Sequence, residues 1–495
     1  MTVSLPGPTA GAAQELPDAG LVDALAGFAT DALRRGIPDE VATSVQGRLL
    51  DVLGLCVAAL PLPTSAAALD FVRDQGGPAR ALAIGAGRTS ASWAAFGNGV
   101  LAHSLDYDDT HLPSVLHPSA SVVPAALAAA QAADADGDTL LTAIAVGIEV
   151  CIRIGMAGYD QNAGANLWFD HGQHATSICG ALGSAAAAAV AGAPAGMPDA
   201  EVRDIVAHAL AVAASTASGI IEANRTGGTV KRLHCGWAAH SGVVAADLAR
   251  RGLTGPPTAL EGRFGLFEAF LRDAADPAAV IAGLGTDWAV PGVFFKPYPA
   301  NHFTHTVVDA GRELAAQGLR PGDVAAVEIG VPSAIVRTIG EPLEVKQRPE
   351  TAYQAQFSGP YAFAVGLFGG SGLGAGLSDY TDALAQDPAR RALMATVTVR
   401  GDATCDAIYP HQFPAIARVR TVDGRELTVQ VLENRGGPGN PLTDAELRTK
   451  FTDNCTAGGL GAGAATAISD AVFQLPGAGL DALDAALTAV PDTAS

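Results

Sequence analysis

From Leu21 to about Gly285, apolar residues recur at steps of three and four, and short turns carrying Gly, Pro or Asp divide them into helix-sized lengths. In IPDEVATSVQGRLLDVLGLCVAAL, Pro38 stands at a helix start, and Val41, Val45, Leu49, Val52, Leu53 and Cys56 follow the helical period. Stretches of the same kind lie at 124–133, 139–154, 177–190, 200–214 and 238–249. Their faces are rich in Ala and Gly, as in GALGSAAAAAVAGAPAG, and small side chains let helix axes approach closely. No short period repeats along the chain, so the pattern specifies a helical bundle and excludes a solenoid.

The texture changes after DWAVPGVFFKPYPANHFTH. DVAAVEIGVP, MATVTVRGD and IARVRTVDGRELTVQVLE are short β-branched runs, and Asp423-Gly424 inside the last is a hairpin signal. PLTDAELRTKF then opens a helix, with Thr443 or Asp444 as N-cap and Glu446 near the capping-box position. The fold class is therefore mainly α. We divide the chain into a flexible arm (1–20), a helical domain (21–290), a smaller α+β unit (291–434) and a tail (435–495) that packs back onto the helical body.

A formal charge of −20 argues against nucleic acid or an anionic membrane surface as partner, because both need a basic footprint. The Ala-rich runs are Gly-broken and fall short of the ~20 strongly apolar residues that span a bilayer. Cys56, Cys151, Cys179, Cys235, Cys405 and Cys455 are scattered without a C-x-x-C pair, which fits a reducing, cytoplasmic setting. The first twenty residues do not read as a signal peptide.

Against this apolar background, four polar clusters stand out. LAHSLDYDDTHLPSVLHPSA carries Asp106, Asp108, Asp109, His103, His111 and His117, and reads as a solvated loop, a metal site or an acid/base centre. WFDHGQHATSICG carries Asp170, His171 and His174, either a capping pair or two of the ligands a metal would need. NRTGGTVKRLHCGWAAHSG sets two glycines before Lys231, Arg232 and His234, with a helix starting near Trp237; it suits an anion, or is a plain basic loop. FFKPYPANHFTH puts Lys296, Tyr298, His302 and His305 at the domain boundary, where clefts bind ligands, unless it is merely a solvated linker.

Metal-dependent diphosphate chemistry fails the test, because DDTHL lacks a third carboxylate near Leu112 and no second magnesium motif follows. The cysteines are too dispersed to suggest an iron–sulfur cluster, and Cys235 alone is more often structural than nucleophilic. What remains is acid/base chemistry beside a carboxylate: histidine moves the proton while Lys, Arg and N–H groups hold the oxygens.

AHSLDYDDTH with HPSA, GQHATSICGALGSAAAAA, TVKRLHCGWAAHSGVVAADLARRGLTGP, ALEGRFGLFEAF, FKPYPANHFTH and FSGPYAFA run in one order over nearly the whole chain. In these motifs the sequence resembles the MmgE/PrpD family, which includes 2-methylcitrate dehydratase, cis-aconitate decarboxylase and iminodisuccinate epimerase. The resemblance implies a large all-helical domain with an inserted smaller α+β lid, usually a homodimer, with the active site between helical body and lid and neither metal nor organic cofactor. By motif position it implies His117, His174, Lys231 and Tyr361 as catalytic residues, with His117 or His174 moving the proton. Asp106, Thr110, Arg232, His234, Lys296 and His302 are the expected substrate-binding residues. The expected activity is that of a lyase of small di- or tricarboxylates, with dehydration or hydration ahead of decarboxylation. Alternatives are an epimerase of an amino-dicarboxylate and a non-catalytic carboxylate-binding or scaffold protein.

Overall fold

A computed structural model describes residues 17–160, 165–223 and 228–492. The expected arm of residues 1–20 lies outside the described residues as far as residue 16, and the first helix begins at Gly20. Asn224 to Gly227, the start of the third polar cluster, also lie outside them.

Helix Ala175–Ala191 is buried along its whole length. It is enclosed by helices Ser119–Ala133, Gly137–Met156, Asp199–Thr216 and Leu233–Arg250. Contact is closest where both partners lack a side chain. A Cβ on Gly147 would stand 2.7 Å from the Gly183 carbonyl oxygen, and one on Gly183 would stand 2.5 Å from that of Gly147. Likewise a Cβ on Gly99 would meet the Gly236 backbone at 2.8 Å, so helices Ala91–Ala102 and Leu233–Arg250 touch backbone to backbone. Helices Asp39–Ala59 and Gly137–Met156 are long and apolar enough to cross a membrane by length and composition, yet both are mostly buried among other helices.

A second hydrophobic core gathers residues from Tyr298 to Val429, separate from the first, which draws on residues 21–293 and 451–490. It is built on a four-stranded sheet in the order Val397–Gly401, Val324–Val331, Ala415–Thr421, Glu426–Val431. The first pair is parallel and the others antiparallel. Asp423-Gly424 turns the last hairpin, with Gly424 at φ 87°. Helices His305–Ala316 and Gly359–Phe368 pack on each other, and the former covers the sheet.

The tail returns to the first core through helix Asp444–Ala457, which lies along Asp39–Ala59. Its N-terminus carries a full capping box: Thr443 accepts from the Glu446 N–H, and the Glu446 carboxylate accepts from that of Thr443. Lys450, 1% exposed, reaches Asp51 at 2.7 Å and donates to the Tyr107 carbonyl at 3.2 Å.

Three sequence expectations are corrected. Residues 81–89 form a two-stranded hairpin, Ala81–Ala83 with Gly87–Thr89, too short for periodicity to show. Pro124 lies inside its helix, which starts at Ser119, so its missing N–H removes one interior helical hydrogen bond. From Arg251 to Thr304 the chain is not helical throughout: Leu266–Leu271 is its one α-helix, and Gly and Pro divide the rest into turns and 3₁₀ segments.

Lys450→Met leaves Asp51 as a buried charge without its partner, and the expected loss is about 3–5 kcal/mol in urea unfolding. Adding Asp51→Asn should recover part of it. A loss below ~1 kcal/mol would show that the pair does not hold the tail in place.

Candidate active site

The segment between helices Ala91–Ala102 and Ser119–Ala133 has no regular structure of its own, so side chains must hold it. Asp109 is its anchor. Buried at 2% exposure, it receives Arg48 at 2.8 Å and the Ser119 hydroxyl and N–H. Arg48 spends its other guanidinium nitrogen on the carbonyls of Val290 and Val293. Thr110 and Phe294 exchange backbone hydrogen bonds at 2.9 and 2.8 Å, which ties the segment to the strand-like run before Lys296. Asp106 and Val115 sit in the left-handed region at φ 53° and 52°; Asp tolerates this, whereas for a β-branched residue it is a strained conformation that the surroundings must impose.

Asp106 is where the clusters meet. Its Oδ1 lies 3.5 Å from Lys231 Nζ and 3.3 Å from Lys296 Nζ, and Lys296 also donates to the Asp106 carbonyl at 2.7 Å. Burial pushes the Asp106 carboxyl up, but the two ammonium groups outweigh it and hold it well below the usual carboxylate range. For Lys231, burial pulls down, but Asp106, Tyr353 and Asp108 together pull up more strongly, so its ammonium is firmly charged. Lys296 is 1% exposed, which places a full positive charge inside the protein. Asp106 Oδ2 is buried with no hydrogen-bond partner.

The histidines form the adjoining wall. His103 Nδ1 lies 2.7 Å from Asp108, and its Nε2 is buried and unpartnered. Burial raises the Asp108 carboxyl, but His103, His117 and Lys296 together lower it more, leaving it well below its ordinary value. His117 Nδ1 is 2.6 Å from the Asp109 carbonyl oxygen, which only accepts; the proton therefore sits on Nδ1, and Nε2 carries the lone pair. Thr110 Oγ1 stands 3.4 Å from the same Nδ1. Burial lowers His117 to about 4 against the pull of Asp108. His174 and His234 face each other Nδ1 to Nδ1 at 2.8 Å, so one donates and the other accepts, and their tautomers are opposite. Burial pushes His174 well below its usual value and His234 to about 4. The ring centres of His103 stand 5.4 Å from His117 and 5.9 Å from His174, making one connected group.

A cleft of ≈ 640 Å³ opens over this group, lined by His103, Asp106, Lys231 and Arg232 on one side and by Thr351, Tyr353 and Gln356 on the other. The width at its base follows from the fold: His103 comes four residues after Gly99, and Arg232 four before Gly236, the pair that brings their helices together. Gln356 donates to the Pro299 carbonyl at 2.8 Å and reaches that of Leu105 at 3.5 Å, bridging the Lys296 and Asp106 segments.

Of the residues expected from the sequence, Asp106, Thr110, His117, His174, Lys231, His234 and Lys296 are brought together, with Arg232 beside them donating to the Ser104 carbonyl at 3.2 Å. His302 packs against Phe294, His305 and Phe413, 5% exposed, with both ring nitrogens unpartnered; burial, then His305 and Lys296, lower it well below its usual value. Tyr361 is a correction. It is fully buried in the second core, its hydroxyl donates to the Asp379 carbonyl at 2.6 Å, and its ring packs behind Tyr380, which does line the cleft. The helix after the glycines starts at Leu233, not near Trp237, and Lys231 and Arg232 lie on the 3₁₀ turn before it. His171 and His174 do not share a face: His171 is exposed on Phe270, whereas His174 is buried.

His103 and Asp108, which the resemblance did not single out, stand at the centre; AHSLDYDD carries them, but nothing local separates them from their neighbours. Tyr353, Gln356 and Tyr380 give no sequence signal. Asp106, Asp108 and Asp109 diverge toward lysines, histidine and arginine respectively, and among the described residues no group of three or more His, Cys, Asp or Glu is placed to hold a metal ion. Cations that bind oxygens beside neutral imidazoles that move protons suit chemistry at a carbon next to a carboxylate.

The chain matches the MmgE/PrpD N-terminal domain over residues 23–277 and the MmgE/PrpD C-terminal domain over residues 298–474. Cis-aconitate decarboxylase of Homo sapiens is 31% identical over 387 residues, 74% of this chain and 73% of that protein. The proteins of that name from Mus musculus and Aspergillus terreus are 29% identical over 382 residues and 27% over 386, covering 74% of this chain in each case and 72% and 75% of those proteins.

His117 and His234 titrate near 4 and His305 near 3 because burial disfavours their charged forms. Unfolded histidines take up protons below about 6.5. Stability present above that pH is therefore lost progressively as it falls toward 4, by up to about 3 kcal/mol for each group. Urea midpoints should be level from pH 8 to 7 and drop steadily from 6.5 to 5. A level midpoint down to pH 5 would mean that these imidazoles are not held neutral.

Proposed function

The chain belongs to the MmgE/PrpD family and is a lyase of the decarboxylase/dehydratase type, and from this premise we propose that it decarboxylates a small unsaturated polycarboxylate, cis-aconitate or a homologue of it. The observation that carries the reading is the convergence of Lys231 and Lys296 on Asp106 beside a connected group of histidines in which burial keeps His117, His174 and His234 neutral. The names of the relatives favour decarboxylation over the dehydration that the motifs alone put first.

In this mechanism Lys231 and Arg232, which line the cleft, hold substrate carboxylates, and Lys296, buried against Asp106, adds to the positive field in a chain whose overall charge would otherwise repel a polyanion. The C–C bond to one carboxylate breaks and carbon dioxide leaves. The electron pair passes through the double bond onto a second, conjugated carboxylate, whose oxygens the ammonium groups stabilise. A proton then goes to carbon from a histidine. His117 is the better placed, since its Nε2 lone pair accepts a proton when the polyanion binds and delivers it to the carbanionic carbon, with His103 and Asp108 behind it. His174 and His234 complete the proton path as a pair of opposite tautomers. Dehydration of a hydroxy acid uses the same groups in another order: a histidine removes the proton from the carbon beside a carboxylate, the freed electron pair forms the double bond, and the hydroxide leaves as water with a proton from a second histidine.

Incubation with cis-aconitate, citrate and 2-methylcitrate in deuterated water, followed by NMR, should show one carbon dioxide lost and one carbon-bound deuterium gained per turnover of the unsaturated acid. Water loss from the hydroxy acids alone would make the enzyme a dehydratase. Deuterium entry without net conversion would mean epimerisation, and silence from a folded enzyme would overturn all three. Lys231→Ala should lower kcat/KM at least ~100-fold, and His117→Gln should lower kcat by about 10²–10⁴ with a folded-state melt unchanged in shape.

A further inference from the structure

Helices Asp39–Ala59 and Asp444–Ala457 run side by side in the same direction: Asp51 meets Lys450, Gly54 meets Phe451, and the Val57 carbonyl meets Gly458. At the first level Lys450 touches the carbonyl of Tyr107, the neighbour of Asp106. Seven residues farther on each helix, about 10 Å at 1.5 Å per residue, lie Ala58 and Ala457. Both line the cleft there, joined by Pro61, Leu62 and Leu377. The cleft thus has a cationic end at Lys231 and Arg232 and a separate aliphatic end.

The cleft also exceeds the size of the simplest substrate. With each heavy atom taking well under the ~30 Å³ of a water molecule, the dozen heavy atoms of a six-carbon tricarboxylate fill on the order of 200 Å³. The cleft holds ≈ 640 Å³. A small trianion bound at Lys231 and Arg232 leaves the aliphatic wall facing water, whereas an alkyl substituent reaching it removes apolar surface on both sides from solvent. Resting on the proposed activity at the same site, we infer that the preferred substrate is an unsaturated polycarboxylate bearing an alkyl chain longer than methyl, the carboxylates at Lys231 and Arg232 and the chain along Ala58, Leu62, Leu377 and Ala457.

A series of cis-aconitates carrying hydrogen, methyl, propyl and pentyl tests this with the full-length enzyme. Each methylene buried on the wall should raise kcat/KM by about fourfold until the wall is covered. Ala457→Phe shortens the wall, so the gain should stop at a shorter chain. A level or falling series with the unsubstituted acid still turned over would overturn the inference and leave the proposed activity standing. An unchanged length dependence in Ala457→Phe would overturn the placement of the chain on this wall. No turnover anywhere in the series by a folded enzyme would instead remove the activity on which the inference rests.

Discussion

Three carboxylates are taken out of water beneath one cleft, and each is matched by a cation from a distant part of the chain. Asp109 has Arg48, Asp51 has Lys450, and Asp106 has Lys231 and Lys296. Removing such charges from water costs several kcal/mol each, so none is tolerable without its partner. These pairs therefore act as conditions on the fold: helix Asp39–Ala59, the irregular segment after His103, the turn before Leu233, the run through Lys296 and the tail have to arrive together. The left-handed backbone at Asp106 lies within the same set of contacts.

The rest of the helical body supplies what those pairs need, which is a frame with little slack. Glycine against glycine at Gly99 and Gly236 leaves no side chain between two helices. One helix leads directly into His103 and the other follows directly from Arg232. A methyl group at that crossing would widen the base of the cleft, and so act on proton transfer and carboxylate binding without touching either.

What could be read from the sequence was what neighbours along the chain decide. The mainly helical class followed from periodicity, the Asp423-Gly424 hairpin from turn chemistry, and the Thr443–Glu446 cap from residues three apart. The 81–89 hairpin was missed because three-residue strands carry no period. Several site residues were legible as polar clusters in an apolar chain, but their pairing was not: the link from Lys231 to Asp106 spans 125 positions. His103 and Asp108 differ from His111 only in what the tertiary fold brings to them. Tyr361 shows the reverse case, a tyrosine in a matching motif whose hydroxyl the fold has already engaged elsewhere.

The distance along the chain between Asp51 and Lys450 has a consequence for biosynthesis. Asp51 emerges from the ribosome early, but the ammonium that neutralises it, and that supports the Tyr107 carbonyl beside Asp106, is made about four hundred residues later. Until then the nascent helical body holds an acidic interior position without its cation, and the catalytic segment lacks its floor. The growing chain is therefore expected to stay open and inert until helix Asp444–Ala457 has been made and can close the body over the site.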